Sequence, residues 1–90
     1  MRLAKVIGNV VATQKEEALI GLKLLVIEEI DAQTEKAKDD RLVAVDTLGA
    51  GVGDTVIWVR GGAARVLSKV DRHAPVDAAI VGIVDEVDVV

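Results

Sequence analysis

The chain has no cysteine, phenylalanine or tyrosine, and one residue each of tryptophan, methionine and proline. Without cysteine, disulfide staples and thiolate metal sites are excluded. Trp58 is the only ring of its kind, so there is no row of aromatics on which successive bases could stack, the platform that single-strand binding requires. No apolar run approaches the roughly 18 residues of a membrane span. The opening Met1-Arg2-Leu3-Ala4-Lys5 lacks the charged-then-apolar order of a signal peptide. The expectation is a cytoplasmic protein with no membrane partner. Positive charge is also scarce: 11 Lys and Arg against 15 Asp and Glu leave a net charge of -4, and the basic residues are spread along the chain. A phosphate-binding surface needs them clustered, so no nucleic-acid partner is expected.

What the chain has in abundance is β-branched side chains. Val and Ile make up 24 of 90 residues, a composition that reads as sheet. The chain is 51% hydrophobic, yet a domain of this size buries only about two-thirds of its unfolded surface as a monomer. The apolar excess therefore points to protein partners, further copies of the chain included.

Five strands are expected. The first runs from Arg2 to Thr13, with Gly8-Asn9 permitting a bulge within it. The second, Lys23 to Asp31, is apolar without alternation at Leu24 to Ile27, as in a strand covered on both faces. The charged stretch Ala32 to Arg41 reads as an exposed hairpin loop leading to a third strand, Leu42 to Asp46. A glycine turn over 47–54 precedes the fourth, Thr55 to Arg60. Gly61-Gly62 opens one or two helical turns through Ala63-Ala64-Arg65-Val66-Leu67, with Gly62 near the N-cap. A polar loop, Ser68 to Asp77, carries Pro75, and the last strand spans Ala78 to Val87. No linker divides the chain, so residues 1–90 are expected to form a single all-β domain. Five strands in this length fit a small, mostly antiparallel barrel of the oligonucleotide-fold (OB-like) kind with one short helix, since closure protects the sheet edges.

Catalytic chemistry finds little support. Gly49-Ala50-Gly51-Val52-Gly53 looks like a phosphate loop, but the third glycine of a dinucleotide fingerprint falls on Asp54, a strand follows instead of a helix, and no Gly-Lys-Ser/Thr is present. His73 has no second imidazole or thiol to complete a zinc site. Alternation along a strand would put Glu86 and Asp88 on one face and Asp85 on the other, which does not favour a hard-metal site. Ser68, the sole serine, is not in a nucleophile elbow. No catalytic residue, metal or cofactor is assigned, and the expectation is a protein that is not an enzyme.

Taken together, Leu3-Ala4-Lys5-Val6-Ile7-Gly8, Thr13-Gln14-Lys15, Gly21-Leu22-Lys23-Leu24-Leu25, Val43-Ala44-Val45-Asp46, Gly49 to Asp54, Gly61 to Arg65 and Asp77-Ala78-Ala79-Ile80-Val81-Gly82-Ile83-Val84-Asp85 resemble the vertex-protein family of bacterial microcompartments. That family includes the vertex proteins of carboxysomes and of ethanolamine- and propanediol-utilisation compartments. Each motif is weak alone; their joint occurrence, in the family's order along the whole chain, is specific. The resemblance implies a β-barrel assembling as a cyclic pentamer, a structural shell protein that occupies the five-fold corners of a polyhedral shell whose facets are hexameric proteins.

Carried over by position, Gly49, Ala50, Gly51 and Gly53 match the family's glycine loop, which implies subunit packing near the five-fold axis. Gly61, Gly62, Ala64 and Arg65 match its Gly-Ser-x-Ala-Arg element, with Gly62 in place of the usual serine. Ile83, Val84 and Asp85 match its Ile-Val-Asp element. Both elements are expected at the pentamer edge, facing hexamers. The alternatives from other classes are a nucleic-acid-binding barrel and a pore or enzyme acting on a small metabolite.

Overall fold

The computed structural model describes residues 1–11, 22–67 and 76–89, with the backbone alone for residues 65–67. Five strands and one helix follow in the order β1 (Arg2–Asn9), β2 (Lys23–Ile30), β3 (Ala37–Asp46), β4 (Thr55–Arg60), α1 (Gly62–Leu67) and β5 (Ala78–Val84). The strands close into a barrel in the order β1-β2-β3-β5-β4. All neighbours are antiparallel except β3 and β5, which run parallel and pair only at Val45 with Ala79 and at Asp46 with Ile80. The expected five-stranded OB-like barrel with one short helix is the architecture found.

Alternation along the strands sorts the apolar residues into two cores. Ala4 and Val6 of β1, Leu25 and Ile27 of β2, Ala44 of β3, Val56 and Trp58 of β4, and Ala78 and Ile80 of β5 fill the interior. Residues one position out of phase face outward. Val45, Ala79 and Val59 form a continuous outer row across β3, β5 and β4, covered by Ala64 of α1 and by Val76. The start of β5 is therefore buried on both faces, which explains its uninterrupted apolar sequence.

Several boundaries differ from expectation. β1 ends at Asn9 instead of Thr13, and its register shifts between Val6 and Gly8, next to the predicted bend. β3 begins at Ala37, five residues before the expected Leu42. Residues 37–41 are exposed and all but Ala37 are charged, so apolar periodicity could not reveal them; the segment is held at its two ends by β2, where Glu28 faces Arg41 and Ile30 faces Ala37. Only the tip of the expected loop is a turn. β5 stops at Val84 instead of Val87, because the β4 partner ladder ends where Thr55 faces Val84. The outward residues of β2 are half-buried, so that strand is covered fully on one face only. Thr13-Gln14-Lys15, Gly21, Ser68, His73 and Pro75 lie outside the described residues.

Candidate functional site

The glycine loop after β3 closes one end of the barrel, and two aspartates give it its shape. The Asp46 side chain is fully buried. Its Oδ1 accepts the backbone N–H of Leu48 at 2.9 Å, and its Oδ2 accepts those of Gly49 at 3.2 Å and Ala50 at 2.8 Å. One carboxylate thus satisfies three donors, of which the buried Ala50 N–H would otherwise be left unpaired. The Lys23 ammonium donates to the Ala50 carbonyl and lies 3.9 Å from Asp46 Oδ2. Asp54 closes the far side: its Oδ2 accepts the Gly51 N–H at 2.8 Å, and its own N–H donates to the Gly51 carbonyl at 3.0 Å. Gly53 N–H donates to the Val6 carbonyl at 2.9 Å, while Val6 N–H donates to the Asp54 carbonyl at 2.9 Å, tying the loop to β1.

Within this frame the loop residues have different roles. Gly49 and Gly53 have φ of 94° and 97°, left-handed conformations that favour glycine. Ala50 is wholly buried and joins the barrel interior. Its side chain packs within its own protomer. Gly51 is different again, because its φ is not in the left-handed region and a Cβ built on it would meet nothing within 4 Å. Nothing in the protomer requires glycine there. Leu48 and Val52, on either side of Ala50, are exposed apolar residues that local sequence patterns did not single out.

The two elements expected at one edge lie at opposite ends of the β4/β5 ladder. Arg60 faces Ala78 at one end, beside Gly61, and Thr55 faces Val84 at the other. The seven residues of β5 separate them by about 20 Å. Gly61 N–H donates to the Asp77 carbonyl at 2.7 Å, which fixes α1 against the chain entering β5. Ala64 is fully buried in the outer core, where it seats the helix. Gly62 is exposed, and the backbone of Arg65 follows it in α1. Ile83 and Asp85 are exposed at the glycine-loop end, with Val84 half-buried between them.

At the other end, Trp58 lies fully buried with the Arg2 and Arg60 guanidinium groups 5.8 and 5.2 Å from its ring centre. It is a core residue, not a surface for bases. Among the described residues no three His, Asp or Glu side chains gather as a metal-binding group.

Comparison with known proteins agrees with this geometry. The family described as ethanolamine utilisation protein EutN/carboxysome matches residues 1–85. The bacterial microcompartment shell vertex protein GrpN of Rhodospirillum rubrum is 50% identical over 92 residues, spanning 100% of this chain and 99% of its own. The carboxysome shell vertex protein CcmL of Synechococcus elongatus is 44% identical, covering 99% of this chain and 88% of its own. Among solved structures, the ethanolamine utilization protein EutN superposes with a TM-score of 0.92 at 42% identity, over 99% of this chain and 91% of that one. The pentameric microcompartment shell protein GrpN of Rhodospirillum rubrum does so with a TM-score of 0.88 at 46% identity, over 100% of both chains. With a closed barrel, an aspartate-anchored glycine loop and relatives matched along nearly all of this chain, the chain belongs to the EutN/CcmL family of microcompartment and carboxysome shell vertex proteins.

Proposed function

We propose that residues 1–90 act as one structural unit, five copies of which form a ring that caps a five-fold corner of a bacterial microcompartment shell in the cytoplasm, without catalysing a reaction. The observation that carries this reading is the match to the pentameric shell protein over the full length of both chains. The reason is geometric, since a wall of hexagons cannot close and pentagons at its corners introduce the curvature. A cyclic pentamer with head-to-tail contacts meets that need. Hexameric facet proteins are the partners such a ring would join.

Within the ring, Gly49, Gly51 and Gly53 pack near the axis. Gly51 supports this, since its missing side chain is unexplained inside the protomer and suits the close approach of another backbone. Gly61, Gly62 and Arg65 at one end of the β4/β5 ladder and Ile83, Val84 and Asp85 at the other form a long edge toward the hexamers, with Arg65 offering a planar set of donors.

Native mass spectrometry with light scattering at several concentrations tests the assembly, and a dominant pentamer is expected. Arg65→Ala and Asp85→Ala should leave the pentamer intact and reduce its incorporation when co-expressed with hexameric shell proteins. A concentration-independent monomer would remove the function; loss of the pentamer in both variants would move those residues from the edge to the subunit contact.

A further inference from the structure

The end of the barrel opposite the glycine loop gathers Trp58 and four charged side chains. Arg2 stands directly across from Trp58 in the β1/β4 register, and Arg60 lies two residues further along β4, so alternation sets all three on the face that looks into the barrel. Both guanidinium groups lie over the indole, 5.8 and 5.2 Å from its centre, within the range of a cation–π contact. Glu29, across from Ala4 and almost wholly buried, is 3.4 Å from Arg2 and 4.0 Å from Lys38. The cations themselves reach water, because the Arg2 and Lys38 side chains are about half exposed and Arg60 is exposed.

Donors outnumber acceptors at this end. Guanidinium, ammonium and indole groups all donate and none accepts. Among the described residues Glu29 is the one carboxylate paired with these cations, and Arg2 and Lys38 already share it. Arg60 makes no ion pair among the described residues, although Asp77 precedes Ala78, its partner across the ladder. The indole Nε1–H of the fully buried Trp58 finds no acceptor there either, and a buried donor left unpaired is costly. What completes such an end is a group whose oxygens only accept. Charge narrows the choice, since three cations and one carboxylate leave +2, which a phosphate dianion balances and a monocarboxylate does not.

We propose that this barrel end binds the phosphate group of a small phosphorylated molecule, held between the Arg2 and Arg60 guanidinium groups with Lys38 beside them. Each guanidinium presents a planar fork of donors that matches a pair of phosphate oxygens, a geometry that a lysine in its place would not supply. All the groups involved belong to one chain, so the site does not rest on the pentameric reading above.

Trp58 is the only tryptophan, so its emission reports on this end alone. Inorganic phosphate is titrated into the full chain at about pH 8, where it is a dianion, against sodium chloride and sodium acetate at matched ionic strength, with calorimetry as a second readout. Phosphate should change the emission saturably, and chloride and acetate should not. Arg2→Gln and Arg60→Gln, checked for folding by circular dichroism, should each raise the phosphate midpoint by roughly tenfold or more. Lys5→Gln, exposed on the outward side of β1, should leave the midpoint unchanged. Arg60→Lys keeps the charge and loses the fork; it should weaken binding by less than Arg60→Gln, and it takes that variant's place should the latter fail to fold. Glu29→Gln should lower the midpoint, because it frees Arg2 and Lys38 from their internal partner. No saturable response to phosphate, an equal response to chloride, or an unchanged midpoint in the arginine variants would overturn the site. An equal response to acetate would overturn the choice of phosphate and make the ligand a carboxylate.

Discussion

Asp31 and Asp46 head turns by the same device with different consequences. Asp31 Oδ1 accepts the N–H of Gln33 at 2.8 Å and of Thr34 at 3.0 Å, in the tip between β2 and β3. Asp46 does the same for the residues two and three positions on, and adds Ala50 at the fourth. Asp31 works in water, where its donors could bond to solvent instead. Asp46 is itself buried and one of its donors, the Ala50 N–H, is buried with it, so there water offers no alternative. Side chains that favour a turn locally become structural supports only where burial removes the alternative.

The largest effect is expected from Asp46→Ala. Removing a buried acceptor of three backbone donors should lower stability by about 2–3 kcal/mol, detected as a lower midpoint in denaturant unfolding. The loss should be accompanied by exposure of Ala50 and faster amide exchange at Leu48, Gly49 and Ala50. A loss no greater than that of Asp31→Ala would erase the contrast between the two turns.

A smaller effect separates two glycines of the same loop. Gly53→Ala places a side chain in the left-handed region and should cost about 1–2 kcal/mol in the protomer. Gly51→Ala meets open space and an ordinary φ, so protomer unfolding should change little. If Gly51 lies against another subunit, the same substitution should still deplete the pentamer in native mass spectrometry. Equal destabilisation of the two protomers would mean that Gly51 is required by its own chain after all.

The contrast also marks how far the sequence could be read. β4, at Thr55–Arg60, and the helix were legible, because a compact apolar run and a Gly-Gly-Ala-Ala opening are local signals. The first half of β3 was not: Ala37 and Arg41 are paired with β2, Lys38 to Asp40 lie in the register shift between them, and Arg41 hydrogen-bonds Glu28 at 2.8 Å, information that lies in the partner strand. The glycine loop was recognised through its glycines, while its anchors Asp46, Asp54 and Lys23 were missed. An aspartate immediately before a turn is a signal for Asp46, but its value depends on burial that no local pattern displays. Ala50 and Ala64 show the same limit: small size fits either a neighbour or a core, and only the fold shows that both are buried within the protomer.

The smallest effect is expected at Asp31, where pH is the probe. The N–H groups of Thr34 and then Gln33 favour the ionised carboxylate and hold its pKa below the ordinary 3.8. Because the folded value is depressed, the support this carboxylate gives the turn is complete above the ordinary value and is lost as pH falls through the lowered one. The amide resonances of Gln33 and Thr34 should therefore titrate together with a midpoint under 3.8, and Asp31→Asn should abolish that titration. The difference between Asp31→Asn and the unsubstituted chain should stay confined to the amides of this tip. A midpoint at or above 3.8 would mean that the two N–H groups do not engage the carboxylate in solution, and the likeness between the two turns would then be one of sequence alone.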